Sequence, residues 1–457
     1  MSIRESLAVM ACKTSRKMLR LAGRGATNLP GRIANRICPD LLRHLAKDVH
    51  VIAVTGTNGK TTTSRMIEQI LKDNGYDYFC NKSGANLLNG VTAEFADNAS
   101  VGGKPKHKWA LIECDEAAFK MIGKYTDPEY VVVTNVFRDQ LDRYGEVTTT
   151  LDNIKIGIGY SKRATICLNA DCSLTASIAE DIDNKILFYG VNTPIYKERV
   201  REASDAPYCI HCKHAYVYDY ITYGHLGKYR CEHCGYQRPD PEVFVNQVLV
   251  SDETHSEVMI DMGDGLPVKA AIHLPGGYNI YNGVSAMCLA KALGLTASQA
   301  VDCLSSFECG FGRMEAFELG KATTRMILIK NPAGCNQVLN FLSNLHEQSV
   351  FVVLLNDNFA DGRDISWIWD VDFETLTRIE DKLDAVYVSG IRAYDMATRL
   401  KYSGIDRDKL HVIEDYDKLL DTIAEQERPV YIMPTYTAMM DLRALVSKRY
   451  GYKNFWE

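Results

Sequence analysis

The chain has 457 residues, 46% of them hydrophobic and 24% charged, with a formal net charge of −6 and a pI near 6.0. This length predicts two or three domains with sizeable cores, and the ordinary composition excludes long disordered tracts. The negative balance excludes attraction of the whole protein to a polyanion, so a nucleic-acid binder would need a local basic patch.

The first 47 residues are predicted to be helical, and they are basic, with ten lysines and arginines against Glu5 and Asp40. One interpretation is a solvated helical face that packs beside the next domain. The other is an interfacial helix attracted to anionic lipid. The sequence favours the first, because "GRGATNLPGR" interrupts the apolar stripe after Leu21.

Fourteen cysteines are present, ten of them scattered and many in apolar runs such as "TICLNA". The N-terminus has no signal-peptide pattern, and no apolar run approaches the roughly 18 residues of a membrane span. We therefore expect a cytoplasmic protein with buried free thiols and no transmembrane segment.

From residue 50, short β-branched runs alternate with helical segments. The runs "VIAVTG", "WALIECD", "YVVVTNV" and "ATICLNA" each predict a buried strand, and four more follow from "RMILIKN" to "PVYIMP". Strand and helix in alternation predict α/β domains with largely parallel sheets. We expect a helical segment at 1–47, a central domain at 48–313 and a C-terminal α/β domain at 314–457.

The stretch "VTGTNGKTTTS", residues 54–64, lies between a predicted strand and a predicted helix. Gly56 and Gly59 would let backbone N–H groups approach phosphates, and Lys60 would add a positive charge. The hydroxyl of Thr61 could reach a magnesium ion. The pattern predicts ATP and magnesium binding, although the first glycine of the general motif falls at Val54.

The stretch "LIECDEA" ends a predicted strand in acids, and Glu113, Asp115 or Glu116 could hold magnesium there. Acids at a strand end are common for solubility alone, so this prediction depends on the neighbouring phosphate loop.

Two C-x-x-C pairs interrupt the α/β pattern, separated by 18 residues. Four thiolates at this spacing predict a closed, structural zinc site formed by Cys209, Cys212, Cys231 and Cys234. The four histidines nearby are interpreted as surface residues, and none as a ligand; they are His211, His214, His225 and His233. A closed site has no open position for water, which excludes zinc catalysis.

The insert, about 205–238, carries four lysines and arginines, Lys213, Lys228, Arg230 and Arg238, against three acids. A nucleic-acid footprint is normally more basic, so we expect a structural role and no nucleic-acid partner. Its seven tyrosines could form a small core.

"TGTNGKTTT" resembles the signature of the Mur ligase superfamily, and five further stretches resemble family motifs in the same order. They are "ECDE" (113–116), "TNVFRDQLDRYG" (134–145), "LNADC" (168–172), "LPGGYNIYNGVSA" (274–286) and "GRME" (312–315). The resemblance implies a central P-loop ATPase domain of the Mur ligase type and a Rossmann-like C-terminal domain. Two departures are Gln140, where most members have a histidine, and Lys330 in "IKNPAGCNQ".

Only about 50 residues precede the phosphate loop, too few for an independent UDP-binding domain. This feature, the four-cysteine insert and "LLNDNFADGRDISWIWD" together resemble the synthetase subunits of lipid II isoglutaminyl synthases. That resemblance implies ATP-dependent amidation of the D-glutamate α-carboxylate of lipid II, through an acyl phosphate, at the cytoplasmic face of the membrane. It also implies a heterodimer with a GatD-type glutaminase that supplies ammonia.

The resemblance also implies roles for individual residues. The predicted catalytic residues are Lys60, Glu113 and Asp364, the last chosen over Asp357 and Asp361. Magnesium is assigned to Thr61 and Glu113. The predicted nucleotide-binding residues are Gly56, Thr57, Asn58, Gly59, Lys60, Thr61, Thr62, Asn279 and Arg313.

The chain has no Gly-x-Cys-x-Gly nucleophile elbow, so any glutaminase activity must belong to another protein. Two alternative functions remain open at this point. One is a ligase of the folylpolyglutamate synthase type, which adds glutamate rather than ammonia. The other is a zinc-ribbon ATPase that acts on nucleic acid.

Overall fold

The computed structural model describes residues 2–21, 28–81, 85–139, 147–195, 204–252, 254–307, 313–345 and 347–452, with only the backbone of Arg313. The N-terminal segment contains helices α1 (Ile3–Leu21), α2 (Leu29–Ile37) and α3 (Leu41–Ala46). Helix α1 is fixed to the rest of the protein by a buried ion pair, Arg16 to Glu94, at 2.6 Å.

A nine-stranded sheet forms the centre of the molecule. Its strands are β1 (His50–Thr55), β2 (Tyr78–Cys80), β3 (Trp109–Glu113), β4 (Tyr130–Val133), β5 (Thr165–Asn169), β6 (Lys185–Val191), β9 (Val243–Ser251), β10 (Ser256–Asp261) and β11 (Val268–Ile272). The spatial order is β11-β10-β9-β6-β5-β4-β1-β3-β2. All neighbours pair in parallel except β9–β10 and β10–β11, so the predicted parallel-rich sheet is confirmed.

Helices surround this sheet, as buried apolar strands require. They are α4 (Lys60–Asp73), α5 (Leu88–Asp97), α6 (Glu116–Thr126), α7 (Val147–Gly159), α8 (Ser173–Ala176), α9 (Gly277–Ala292) and α10 (Ala297–Ser305), with a 3-10 turn at Ser177–Asp181. One apolar core runs from α1 to α10 beneath them. The strands β1 and β4 lie within this core and are buried except for their first residues, and they carry the loops that form the candidate site.

The four-cysteine insert lies between β6 and β9 in the chain. Its hairpin consists of β7 (Val217–Tyr223) and β8 (Leu226–Arg230), which pair antiparallel. A small cluster of cysteine and tyrosine side chains, including Tyr216 and Tyr229, fills the insert, in agreement with the tyrosine core that the sequence suggests.

A second, six-stranded sheet follows, in the order β12-β13-β17-β14-β15-β16. The strands are β12 (Arg313–Leu319), β13 (Ala322–Ile327), β14 (Ser349–Leu354), β15 (Leu383–Ser389), β16 (Leu410–Val412) and β17 (Val430–Pro434). The helices are α11 (Pro332–Ser343), α12 (Ala393–Tyr402), α13 (Tyr416–Ala424) and α14 (Tyr436–Tyr450), with 3-10 segments at Ser366–Asp370, Phe373–Lys382 and Arg407–Lys409. Apolar clusters cover both faces of the sheet.

The described cysteines outside the insert are free thiols, and all but Cys80 are buried, as expected for a reduced protein; Cys309 lies outside the described residues. Among the described helices, none combines the length and apolar character that crossing a bilayer requires.

Candidate active site

The phosphate loop connects the end of β1 to the start of α4. Gly56 and Gly59 have φ values of +118° and +84°, a backbone region that side chains disfavour. A Cβ at Gly59 would lie only 2.2 Å from Oδ1 of Asn282. Glycine is therefore needed here for both conformation and space. The loop leaves the first N–H groups of α4 at the end of a central strand, where anions bind in such folds.

Lys60 is the first residue of α4, and its ammonium group is buried. Its Nζ donates to Oε2 of Glu116 at 2.9 Å, to the carbonyl of Thr57 at 3.1 Å, and to the carbonyl of Gly56. Burial alone would lower the pKa of Lys60, but the charges of Glu116 and Asp115 outweigh it and raise the pKa. The site therefore contains a fixed positive charge beside the loop.

The three acids at the end of β3 occupy different environments. Asp115 caps α6, and its carboxylate accepts hydrogen bonds from two backbone N–H groups of the first turn. Glu116 pairs with Lys60, whereas sequence reasoning selected Glu113. The Glu113 backbone N–H donates to Oδ1 of Asn81 at 2.8 Å, and its mostly buried carboxylate has no hydrogen bond within the described part of the chain. Glu113 is thus placed to hold a cation, and that role stays a prediction.

The segment after β4 fixes the backbone of the phosphate loop. Thr57 Oγ1 accepts from the N–H of Phe137 at 3.0 Å and donates to its carbonyl. The Asn58 N–H donates to Oδ1 of Asn135 at 2.9 Å, and its carbonyl accepts from the hydroxyl of Thr134 at 2.7 Å. These hydrogen bonds therefore fix the backbone of the phosphate loop at Thr57 and Asn58.

Thr61 lies half-buried in the first turn of α4, next to Lys60, and Thr62 is buried. Thr61 is therefore at the helix end where a magnesium-bound phosphate would sit. The oxygen donors of Thr61 and Glu113 suit a hard cation such as magnesium.

Asn279 is connected to the start of α4 through Asn282, and its predicted contact with the nucleotide stays a prediction. Its Oδ1 accepts from Nδ2 of Asn282 at 2.9 Å, and Asn282 Oδ1 in turn accepts from the hydroxyl of Thr63 in α4 at 3.3 Å. Sequence reasoning missed Asn282, which lies in the same quoted motif three residues later. The side chain of Arg313 and the whole of Gln140 lie outside the described residues.

The segment before α11 closes on the phosphate loop from the second sheet. Lys330 Nζ pairs with Oδ2 of Asp139 at 2.7 Å and donates to the carbonyl of Thr57 at 3.4 Å. Asn331 Nδ2 donates to Oδ1 of Asn58 at 3.0 Å. Burial alone would raise the pKa of Asp139, but Lys330 lowers it, so the pair is ionic. Lys330 therefore joins the two α/β units at the phosphate loop.

Two of the three candidate acids after β14 have structural partners. Asp357 pairs with Arg392 at 2.7 Å. Asp361 is buried, and its Oδ1 accepts from the N–H of Thr437 at 2.7 Å. Both carboxylates are thus used to fix the loop against neighbouring helices.

Asp364, the predicted catalytic acid, is half-exposed just before the 3-10 segment at Ser366–Asp370. Its Oδ1 accepts from the N–H of Ser366 at 2.8 Å, which is an Asx-turn contact. Hydrogen bonding to Ser366 lowers the pKa of Asp364, so the carboxylate is ionised at neutral pH. Unlike Asp357, it has no ion pair among the described residues, and unlike Asp361 it is not buried; its catalytic role stays a prediction.

The four insert cysteines converge as their spacing predicts, with their Sγ atoms all within 4.8 Å of one another. The Sγ atoms of Cys209 and Cys234 are 3.5 Å apart, and those of Cys212 and Cys231 are 3.4 Å apart. Four thiolates at such distances fit a tetrahedral zinc ion. Two exposed histidines, at 214 and 233, stack beside Cys212 and form a second possible ligand group with it.

The interpretation of His225 as a surface residue is wrong. His225 is fully buried at the tip of the β7–β8 hairpin, with Nε2 at 3.4 Å from Sγ of Cys172. Its ring centroid lies 4.4 Å from that of Phe137, the residue that holds Thr57. Burial lowers the pKa of His225 to about 4, so the ring is neutral. The hairpin tip is therefore part of the central core and not a solvated loop.

A buried ion pair also connects the end of the insert to the central unit. Arg238 Nε donates to Oδ1 of Asp171 at 2.6 Å, with both side chains almost fully buried. Asp171 Oδ2 accepts from the N–H of Val191 at 2.9 Å and from the hydroxyl of Tyr281 in α9. Tyr281 also contacts the hydroxyl of Thr222 in β7 at 2.7 Å. The insert is thus bonded to α9, the helix whose asparagines support the phosphate loop.

Comparison with known proteins agrees with this geometry. Residues 54–229 match the Mur ligase middle domain, and residues 328–439 match the MurT ligase C-terminal domain. The fold resembles a pseudomurein peptide ligase type C from Methanothermus fervidus, with a TM-score of 0.67 at 20% identity, covering 91% of this chain and 83% of that one. The fold and the phosphate loop define an ATP-dependent ligase with the Mur ligase fold.

Two relatives narrow the class. The lipid II isoglutaminyl synthase (glutamine-hydrolyzing) subunit MurT of Streptococcus pneumoniae (strain ATCC BAA-255 / R6) is 34% identical over 98% of both chains. The protein of the same name from Staphylococcus aureus (strain COL) is 33% identical over 96% of both. The chain belongs to the MurT family, and it is a ligase of peptidoglycan synthesis.

Proposed function

We propose that this chain is the synthetase subunit of a lipid II isoglutaminyl synthase. It converts the α-carboxylate of D-glutamate in the lipid II stem peptide to the amide of D-isoglutamine, with ATP and ammonia as co-substrates. The observation that carries the proposal is the 34% identity, over 98% of both chains, to a subunit of that name. The buried, charged Lys60 at a phosphate loop supports it, because phosphoryl transfer needs such a charge.

The reaction follows from the chemistry of carboxylates. A carboxylate does not react directly with ammonia at neutral pH, because oxide would have to leave. Its oxygen therefore attacks the γ-phosphorus of ATP, ADP leaves, and an acyl phosphate forms. Ammonia then attacks the carbonyl carbon, phosphate leaves with one of the original carboxylate oxygens, and the amide results.

Lys60 neutralises negative charge that moves onto the phosphate oxygens during transfer. Its bonds to Glu116 and to two loop carbonyls hold the ammonium group in place before the nucleotide arrives. Thr61 and Glu113 would hold magnesium, which supplies further charge neutralisation when bound. The Lys330–Asp139 and Asn331–Asn58 contacts keep the second α/β unit against the loop, so that its acids can serve the same reaction.

Asp364 is assigned to orient and deprotonate the attacking ammonia. Its lowered pKa keeps the carboxylate ionised, as a hydrogen-bond acceptor for the nucleophile must be. Asp357 and Asp361 are less suited, because Arg392 and Thr437 already occupy their oxygens.

Ammonia would come from a GatD-type glutaminase in a heterodimer. Both relatives are named as subunits of a glutamine-hydrolyzing enzyme, and this chain contains no nucleophile elbow of its own. Because lipid II is held in the membrane, the enzyme would act as a peripheral protein at its cytoplasmic face. The four-cysteine cluster would hold a structural zinc ion.

The test is incubation of the chain with lipid II, ATP, magnesium and either ammonium or glutamate, followed by mass spectrometry of the stem peptide. Ammonium should give the mass change of a carboxyl hydroxyl replaced by an amino group, and glutamate should give nothing. Lys60→Ala should lower the rate about 100-fold or more, and Asp364→Asn should lower it too. Lys72→Ala, at the exposed far end of α4, is the matched control. ATP hydrolysis without amide, or addition of glutamate, would overturn the proposal.

A further inference from the structure

Helix α1 presents an apolar stripe to solvent. Five large apolar side chains on this face are 47% to 83% exposed. Successive members are three, four or eight residues apart, and these spacings place them on one side of the helix. They are Ile3, Leu7, Met10, Met18 and Leu21. A solvated helical face would carry polar residues at these positions, so the stripe needs an explanation.

The opposite face of α1 is already in use. Ala8, Val9 and Cys12 are buried in the central core, and Arg16 pairs with Glu94 beneath the helix. Lys13 Nζ donates to the carbonyl of Ala99 at 2.6 Å. The helix is therefore fixed in orientation, and its outer stripe cannot turn inward to be covered by the same core.

The rim of the stripe is basic. On α1 itself, Arg4, Lys17 and Arg20 are exposed, and on the adjacent α2 Arg32 and Arg36 are exposed as well. The one acid of α1, Glu5, is held near His44, with its carboxylate at 3.4 Å from Nε2. An apolar stripe bordered by cations is the pattern of a helix that lies in the plane of a membrane interface.

We propose that the outer face of α1 docks the protein on an anionic membrane surface, with the apolar stripe in the headgroup region and the basic rim against lipid phosphates. The biological sense of this inference rests on the proposed function, because a lipid-linked substrate must be reached at the membrane. The docking itself depends only on the surface. The basic rim favours anionic lipid over an apolar protein partner, since cations around the stripe have no counter-charge on this helix beyond Glu5.

The test is co-sedimentation of the full-length chain with vesicles of phosphatidylglycerol and phosphatidylcholine, compared with phosphatidylcholine alone. Binding should require the anionic lipid and weaken as salt rises. The double variant Leu7→Gln, Met18→Gln should lower vesicle affinity at least about tenfold, and Lys17→Gln, Arg20→Gln by a similar factor, about fivefold per charge. Leu266→Gln, an equally exposed leucine in the loop between β10 and β11, is the matched control and should bind like wild type.

Circular dichroism and amidation of a detergent-solubilised substrate establish that the variants are folded. The proposal is overturned if the wild type does not bind anionic vesicles, or if the Leu7/Met18 variant binds them equally well. It is also overturned if that variant keeps vesicle binding but loses association with the glutaminase subunit, because the stripe would then be a protein interface. A chain that binds vesicles but amidates nothing would refute the proposed function alone.

Discussion

Replacement of Arg238 by leucine should destabilise the central unit strongly. The substitution removes the cation from a buried pair and leaves Asp171 fully buried, with only the N–H of Val191 and the hydroxyl of Tyr281 as donors. Breaking a buried pair by removing one partner costs about 3–5 kcal/mol. At about 2–4 °C per kcal/mol for a unit of this size, the first thermal transition should fall by about 6–20 °C.

The pH dependence of the stability of Arg238→Leu tests whether the charge of Asp171 causes the destabilisation. Burial raises the pKa of Asp171 even with Arg238 opposing it, and loss of Arg238 should raise it further. A carboxyl with a raised pKa in the folded state stabilises the fold when protonated and loses that contribution as the pH rises. The difference in the free energy of unfolding between wild type and Arg238→Leu should therefore be smaller at acidic pH and largest near neutral pH. Scanning calorimetry over a pH series measures it.

Two further variants test whether the unpaired buried carboxylate of Asp171 causes the loss of stability. Arg230→Leu removes an exposed partner of Asp219, and a solvent-exposed ion pair adds little to stability, so this variant is the matched control. Asp171→Asn in the Arg238→Leu background should recover part of the loss, since no charge then remains buried. A drop of less than about 1 kcal/mol in Arg238→Leu, or a deficit that is independent of pH, would refute this reasoning.

Gly59→Ala should lower ATP affinity about tenfold to a hundredfold, because its Cβ would clash with α9 and distort the loop; calorimetric titration should show no such loss for Gly75→Ala, where φ is also positive but the space is open. His225 stays neutral when folded, with a pKa of about 4 against 6.5, so this group alone should contribute a loss of about 3 kcal/mol to the free energy of unfolding between pH 6.5 and 4, measured by urea unfolding. His225→Phe should lack this contribution to the loss, and His211→Phe, at an exposed histidine, should retain it. Cys231→Ser should release zinc and weaken ATP binding; unchanged affinity in zinc-free protein would contradict the link between insert and loop.

Local patterns explain what the sequence could predict. The strand, the Gly-Lys-Thr turn and the helix of the phosphate loop are consecutive, so one short stretch specifies Gly59 and Lys60 together. The cysteine pairs are equally local, because each C-x-x-C fixes two ligands in one turn. The buried β-branched runs predicted a parallel-rich sheet for the same reason, because each strand can be predicted from its own short run of residues.

The features that the sequence could not predict depend on contacts between segments that are far apart in the chain. Glu113 and Glu116 are three residues apart, and only the position of α6 shows that Glu116 meets Lys60. His225 follows Gly224 in a tight turn, as an exposed hairpin tip would, and its burial depends on Phe137, far away in the chain. The ion pair of Lys330 with Asp139 requires the two α/β units to meet. None of these pairings has a local signature.

The most direct test of the acyl phosphate route is to follow the carboxylate oxygen. Lipid II labelled with heavy oxygen in the D-glutamate α-carboxylate is incubated with the heterodimer, ATP, magnesium and glutamine, and the released phosphate is analysed by mass spectrometry. The proposed reaction transfers one labelled oxygen to phosphate for each amide formed. Unlabelled phosphate alongside full amidation would contradict it.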